Sequence, residues 1–540
     1  MKAQDIAEIF SQHKDYWDRQ RQELERYKSA YETQFWQNQY YGMNYDQMIN
    51  VQTSDAYGYI ESFIASLFAK NPAVIVKRGL RNRGDKDKAQ AIANDFLLRA
   101  RHEIENAARM SLIYPMAFFK LIPDDSQEEL YDKVYPVAVA PWNVIIDRES
   151  PRWDKCRYVA HHYYLSISEA REKFGNKTFN PTQKQEYFQQ KPEEELTDGY
   201  GEDKQYVEIV EFYDLDNDEL IFYCPQHGQG NNILERTRFI PFRDVNNKPC
   251  VPIVPLYFNK IPDCPMDGYS AMRRVYDQLY EINIIRSFQA NSVRKASRQY
   301  LIKAGLLDEE DMAKLTAGID GLFIEVDDED LAGAIRAVPQ NPTPPELEAY
   351  YQMVQNDKDK GSLLAPFTRG EALKATASEI VALASYSATE LGRMARERDG
   401  AIEQLASTYL NMVATFIDKD NIIYLDNRLQ NVKEADLKGD FDIFAQDQAS
   451  TPISEQVKQN QLLMNIPTLV QLGVDPRKIL EQVVRSLGLP EDFLEAPPQQ
   501  PVPQGTPQAG IEPQIGTTEQ AIAETAPANI RPFLPTEGVS

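Results

Sequence analysis

The stretch Asp-Leu-Asp-Asn-Asp-Glu at 214–219 sets Asp214, Asp216 and Asp218 at alternate positions, the spacing with which a calcium loop opens its ligand set. The pattern then fails. Its sixth position is Glu219, where the loop needs glycine, and its twelfth is Pro225, where it needs a bidentate glutamate. Between the apolar runs "QYVEIVEFY" and "LIFYC" the acids read as the solvated turn of a β-hairpin. Cys224, His227, Cys250 and Cys264 are zinc-ligand types, but their spacings match no common zinc module, so buried thiols are the favoured reading. "HGQGNN" (227–232) has two glycines of a dinucleotide fingerprint and lacks the third, which leaves a loop. His161 and His162 stand in "HHYY" without a partner motif, and packing in a strand accounts for them. The chain contains no GxxxxGK[ST], HExxH or GxSxG. No catalytic, cofactor-binding or metal-binding residue is assigned, and the chain is not read as an enzyme.

Two acidic runs, "DEED" (308–311) and "DDED" (327–330), remain as the basis of a rival reading, a metal-dependent hydrolase. Neighbouring acids cannot all point at one ion, which counts against it. The runs belong instead to a step in charge. Residues 272–303 carry seven basic and two acidic side chains, and residues 305–336 carry ten acidic and two basic. One elongated structure would then meet different partners at different heights. The whole chain is acidic, 58 basic against 82 acidic residues for a net charge of −24, which argues against gripping nucleic acid through phosphates. Hydrophobic residues make up 42%, ordinary for a soluble globular protein, and 540 residues suffice for several sub-domains. The longest apolar run, 134–146, is too short to span a membrane, and "MKAQDIAEIF" does not open like a signal peptide. Four cysteines suit a reducing compartment.

The elements that must position these residues follow from periodicity. Residues 1–40 predict a charge-mixed helix with an aromatic stripe of Phe10, Trp17, Tyr27, Tyr31 and Phe35. "YGYIESFIASLFAKNP" predicts a second, ended by Asn71-Pro72, and "DKDKAQAIANDFLLRARHEIENAARMSLIYPMAFF" continues in helix. "VYPVAVAPWNVIIDRES" reads as strand. From 268 a helix of about thirty residues is expected, with Met272, Tyr276, Leu279, Ile282, Ile285 and Phe288/Gln289 on one face. A strand-bearing piece (299–342) follows. Thr343, Pro344, Pro345 and Glu346 then start another helix that buries Leu347, Tyr350, Tyr351 and Val354 and ends near Gly361. After 362–375, Thr376 and Glu379 form a capping box for a helix of about forty residues through Phe416. Its "RMARERDG" (393–400) reads as a solvated charged face. "NIIYL" and "FDIFAQ" predict strands, 451–495 short helices, and 496–540 a disordered tail with nine prolines and six glutamines.

The order helix, small strand-bearing piece, helix, loop, very long helix resembles the stem, clip, stem, tunnel loop and wing of tailed-bacteriophage portal (head-to-tail connector) proteins. "NPAVIVKRGLRNRGDKDKAQAIANDFLLRARHEIENAARMSLIYPMAFFKLIPDD" is similar to that family's early wing segment. "APWNVIIDRESPRWDKCRYVAHHYYLSISEAREKFG", "TASEIVALASYSATELGRMARERDG" and "FDIFAQDQAS" resemble later parts, and the likeness covers about residues 50–495.

The resemblance implies an α+β, portal-like fold with long stem and wing helices, small β-rich parts and a helical crown. It implies an N-terminal wing region at 1–267, stem helices at 268–298 and 343–361, a clip at 299–342 and a tunnel loop at 362–375. The wing with the long helix would be 376–450, the crown 451–495 and the tail 496–540. Thr368, Arg369, Glu371 and Lys374 would then border a DNA channel, and Asp327, Asp328, Glu329 and Asp330 would dock a partner. The family forms a ring of about twelve copies at one capsid vertex. Its partners are the terminase large subunit, the major capsid protein, a tail or adaptor protein, and double-stranded DNA passing without sequence specificity. No cofactor and no membrane are implied. The location is the virion, after assembly in the host cytoplasm. The runner-up is another ring-forming head–tail adaptor.

Overall fold

The first helix, α1 (Ala3–Tyr31), buries Ile6, Phe10, Trp17, Leu24, Tyr27 and Ala30 in the computed structural model, and the charged positions between them face water. It is shorter than the expected 1–40, although Phe35 beyond it is also buried. The structure describes residues 1–36, 50–79, 84–180 and 206–302 with interruptions of a few residues, then 335–337, 345–362, 377–417, 422–425, 428–439 and 441–446, with isolated residues besides. All belong to one compact unit, Met1–Lys458.

Helix α2 (Asp55–Leu67) leads to strand β1 (Val74–Arg78). Helices α3 (Lys86–Arg99) and α4 (Arg101–Ile113) follow, the first capped by the Asp85 carboxylate on the Asp87 and Lys88 amides. The expected single helical run to Phe119 stops at Tyr114, because Pro115 cannot continue it. Ala117 instead opens β2 (Ala117–Pro123), whose residues are buried on both faces from Ala117 to Leu121, Lys120 among them through its pairing with Glu211. Next come β3 (Val134–Val139), β4 (Val144–Ile146), β5 (Tyr158–Ser166) and α5 (Ile167–Phe174). Then follow β6 (Tyr206–Asp214), β7 (Glu219–Tyr223), β8 (Ile233–Thr237), β9 (Ile253–Leu256), β10 (Lys260–Ile261) and β11 (Cys264–Gly268).

Strands β4 to β8 form an antiparallel meander in chain order, and β3-β2-β9 a second antiparallel sheet. The expected hairpin is present, with Asp214 opposite Glu219, but its turn is not simply solvated. Asp214 is 1% exposed and accepts from the Asn217 amide, and Asp218 pairs with Arg243.

Helix α6 (Tyr276–Ala296) is shorter than the expected helix from 268. Ser270 is buried, donates to the Leu112 and Ile113 carbonyls and accepts from the Met272 amide. That bonding sets a short 3-10 turn at Ala271–Arg274 ahead of the α-helix. The remaining elements are β12 (Tyr300–Ile302), β13 (Ile335–Ala337), α7 (Pro345–Ser362), α8 (Ala377–Val413), β14 (Ile422–Leu425), β15 (Arg428–Asn431), α9 (Glu434–Leu437) and β16 (Phe441–Ala445). Strands β1 and β16 pair, as do β10 and β11, β12 and β13, and β14 and β15. The turn before α3 brings Gly84 against α9 and β16. Its φ is +86°, and a Cβ there would sit 2.5 Å from the Phe441 ring, so only glycine fits.

At 37 residues α8 is about 55 Å long. It buries Leu391, Met394, Ile402, Leu405, Tyr409 and Met412 in the main core beside α2, α3 and α4. Tyr409 stacks on Phe96 of α3 with centroids 3.8 Å apart. Among the described residues no helix is long and apolar enough to cross a membrane.

The run 393–400 is not a solvated face. Arg398 is 2% exposed, and it donates to the Leu67 carbonyl at the end of α2 and to the Asp399 carboxylate. The cation lies where the α2 dipole is negative, and α2 has no basic residue of its own in its last turn. Replacing Arg398 with Met should cost about 2 kcal/mol, since it strands the Leu67 carbonyl at the end of α2 in the interior. Urea unfolding of R398M against wild type and R398K measures this. R398K should fall between them, because an ammonium cannot reproduce the fork of donors.

Candidate functional site

The two stretches expected to meet DNA and a docking partner lie outside the described residues: Thr368, Arg369, Glu371 and Lys374, and Asp327, Asp328, Glu329 and Asp330. So do Thr376, the crown at 451–495 and the tail at 496–540. The described site is the junction where the turn before α6, the end of α7 and the middle of α8 meet the body.

A polar knot ties this junction. Arg274, at the end of the 3-10 turn before α6, donates to Glu390 Oε1 at 3.0 Å, Asn259 Oδ1 at 2.9 Å and the Tyr269 hydroxyl at 3.2 Å. Arg393 of α8 donates to Glu390 Oε2 from Nε at 3.1 Å and to Oε1 from Nη2 at 2.7 Å. It also reaches Asn259 Oδ1 at 3.0 Å and the Phe258 carbonyl. Burial pushes the Glu390 carboxyl up, and the hydrogen bonds from Arg393 and Arg274 outweigh it, holding it below the usual range. Asn259 is 2% exposed, and one side-chain oxygen serves both guanidinium groups. The loop that presents it needs Gly268, where a Cβ would stand 2.5 Å from the Pro115 carbonyl oxygen.

Helix α7 closes on the same turn. A Cβ on Gly361 would lie 3.0 Å from the Arg274 carbonyl oxygen, so the last turn of α7 packs against backbone. Lys358 pairs with Asp55 of α2 at 3.2 Å. The chain entering α2 is bonded to α6, with the Thr53 amide on Asn283 Oδ1 at 3.0 Å and the Val51 amide on Ser287 Oγ at 2.8 Å. Between these elements is a cleft of about 200 Å³ lined by Asp55, Tyr59, Val275, Leu279, Lys358 and Ser362, among others.

Away from the junction, α6 and α7 share a small core of Ile282, Ile285 and Val354, with Leu347 and Tyr351 against it. Two expectations fail here. Tyr350 is 44% exposed, reaching α6 through its hydroxyl on Glu281 at 3.1 Å, and Phe288 is 53% exposed. Phe288 joins Tyr280 and Ile284 at four-residue steps on an exposed stripe of α6, and Met353 beside Tyr350 is exposed on α7. Periodicity marked an apolar face on α6 but not this second one.

The residues first considered for metal chemistry have separate surroundings. Cys224 lies in the small core with Phe174 and Leu234, and His227 Nδ1 is 2.9 Å from the Thr178 carbonyl. Cys250 is half-buried, and Cys264 is exposed rather than buried. Among the described residues no three His, Cys, Asp or Glu side chains are grouped to hold a metal ion. His161 and His162 are both in β5, where His161 contacts Lys120 and His162 contacts the Trp142 carbonyl.

The chain matches the family model described as phage SU10 portal protein over residues 125–525. That span takes in α6, α7, α8 and the polar knot, and leaves out α1 to α4. No curated protein matches the chain.

Replacing Glu390 with Ala leaves two half-buried guanidinium groups without a carboxylate, with only the neutral acceptors Asn259, Tyr269 and the Phe258 carbonyl. The expected cost is about 2 kcal/mol. Denaturant unfolding of E390A beside E390Q checks this, with E390Q the milder because it keeps one acceptor.

Proposed function

The chain belongs to the phage SU10 portal protein family, and from that premise we propose that about twelve copies close into a channel at one capsid vertex of a bacteriophage. The channel is held by the major capsid protein, docks the terminase large subunit during packaging and binds a tail or adaptor protein afterwards. Double-stranded DNA passes through it without sequence specificity, inward on packaging and outward on ejection. The role is structural rather than catalytic, and its place is the virion, after assembly in the host cytoplasm.

One observation carries this reading, the apolar surface of α6 and α7. Of the twelve large apolar residues exposed among the described ones, six are on these two helices: Tyr280, Ile284, Phe288, Val293, Tyr350 and Met353. The small core that α6 and α7 share, three buried side chains, leaves this apolar surface in water in the single chain. A neighbouring copy covers it, and a head-to-tail arrangement closes as a ring. The net charge of −24 suits passage, since few phosphate grips mean little drag.

In this reading 268–298 and 343–361 are the stem, 299–342 the clip and 362–375 the loop toward the channel. Residues 1–267 and 376–450 are the wing, 451–495 the crown and 496–540 a tail. Thr368, Arg369, Glu371 and Lys374 meet passing phosphates, and Asp327, Asp328, Glu329 and Asp330 dock a partner. The polar knot ties the base of the stem to the long wing helix.

Mass photometry of the purified chain should show a particle of about twelve times 61.8 kDa. A single species at chain mass overturns the proposal. The double variant Ile284→Asp, Phe288→Asp should lose the ring yet keep the chain's helical ellipticity, because both side chains are exposed in the single chain.

Arg369→Ala with Lys374→Ala should leave the ring intact and change the DNA packaged per particle. Unchanged packaging and infectivity would remove 362–375 from the DNA path.

A further inference from the structure

Helix α1 crosses the meander sheet with Ile6 and Phe10 on a patch of Ile145, Ala160, Val210, Phe212, Ile221 and Tyr223. Beyond this patch its seat is polar. His13 of α1 and His162 of β5 are 6% and 9% exposed, and both place Nε2 on one acceptor, the Trp142 carbonyl, at 2.8 and 2.9 Å. Their rings are 6.2 Å apart, and Trp17 and Phe10 close over them. Two N–H donors on one carbonyl fit two neutral imidazoles, each with its proton on Nε2. His162 Nδ1 has no hydrogen-bond partner among the described residues, and Glu208 is 3.7 Å from it.

We infer that α1 is a strap seated at neutral pH by this shared carbonyl and released from the sheet by acid. A second proton on either ring puts a cation into a dry site that already has its charges paired. From α1, Lys14 occupies Glu208 at 3.1 Å. After β4, Arg148 stacks on Tyr16 at 3.5 Å and pairs with Asp267 at 3.2 Å. From β5, Tyr164 donates to Glu208 at 3.3 Å. From β2, Lys120 donates to His161 Nδ1 at 2.9 Å and to Glu211 of β6 at 2.7 Å, and Lys173 of α5 adds a further positive charge toward His161. Glu208 is the one carboxylate facing His162 among these groups, and it is shared with Lys14.

The titration agrees with the geometry. Burial lowers His13 from 6.5 to about 3, with its carbonyl bond opposing in part, and burial lowers His162 against the pull of Glu208. Because the docked values are depressed, the detached helix binds more protons, and docking weakens as pH falls below 6.5. At pH 5, His13 alone shifts the docking equilibrium about 30-fold toward release, and His162 adds in the same direction. The inference does not depend on the ring, since α1 precedes the matched residues 125–525.

Hydrogen exchange of the full chain at pH 7 and pH 5, corrected for intrinsic rates, tests it. Peptides from Ala3–Tyr31 should lose protection at pH 5 while those from 391–413 keep it. In His13→Gln with His162→Gln, where an amide N–H replaces the imidazole and does not titrate, α1 should keep its protection at pH 5. Unchanged α1 protection in the wild type overturns the inference, as does equal loss in the variant. So does a His13 ring-carbon resonance titrating near 6.5 in chain labelled at histidine. If the variant fails to fold, the wild-type exchange and this titration decide.

Discussion

The guanidinium groups of the long helix, Arg398 buried and Arg393 half-buried, hold the body together. A cation taken from water must find a full set of acceptors, or the site costs more than the fold can supply. Arg398 takes the end of α2 and its neighbour Asp399, and Arg393 takes Glu390, Asn259 and the Phe258 carbonyl. Glu390 and Asp399 are on α8 itself, while Leu67 ends α2, Phe258 and Asn259 lie in the loop after β9, and Arg274 reaches Glu390 from the turn before α6, so satisfying these charges fixes all three against α8. Apolar packing alone would tolerate sliding along α8. Directional bonds to charged groups do not.

The junction and the hairpin beyond it differ in kind. At the junction the turn before α6, the end of α7 and α8 are joined by short charge-assisted bonds and by backbone contacts that tolerate no Cβ at Gly268. Beyond it the hairpin has few buried side chains of its own and an exposed apolar stripe. The hairpin is therefore well aimed at its base and incomplete along its length. A subunit that completes itself in an assembly has this pattern, since the apolar surface is spent on neighbours while the base keeps its orientation.

The sheet side of the body is held differently. Lys120 and Glu211 pair between the two sheets with His161 beside them, and α1 rests partly on His13 and His162. These imidazoles are seated by being neutral, so this part of the protein responds to protons, whereas the arginine-tied junction does not lose its charge in any ordinary range.

Elements with long regular patterns and clear turn residues were legible in the order of amino acids. The hairpin at 206–223 and the 37-residue α8 follow from period and turn residues, because these act within a few residues, whereas the helix read through to Phe119 ends at Tyr114 and gives way to β2. The order of helices around 268–416 also sufficed for the family resemblance that the match over 125–525 bears out. Only the tertiary structure decided what the charged residues do. "RMARERDG" reads as a solvated face, yet Arg398 is buried and Arg393 is tied into the polar knot, because the Leu67 and Phe258 carbonyls and Asn259 reach them from more than a hundred positions away. Phe288 reads as core and is exposed, since its partner face depends on where α7 lies. Period states that a face is apolar, and packing decides which faces the single chain can cover.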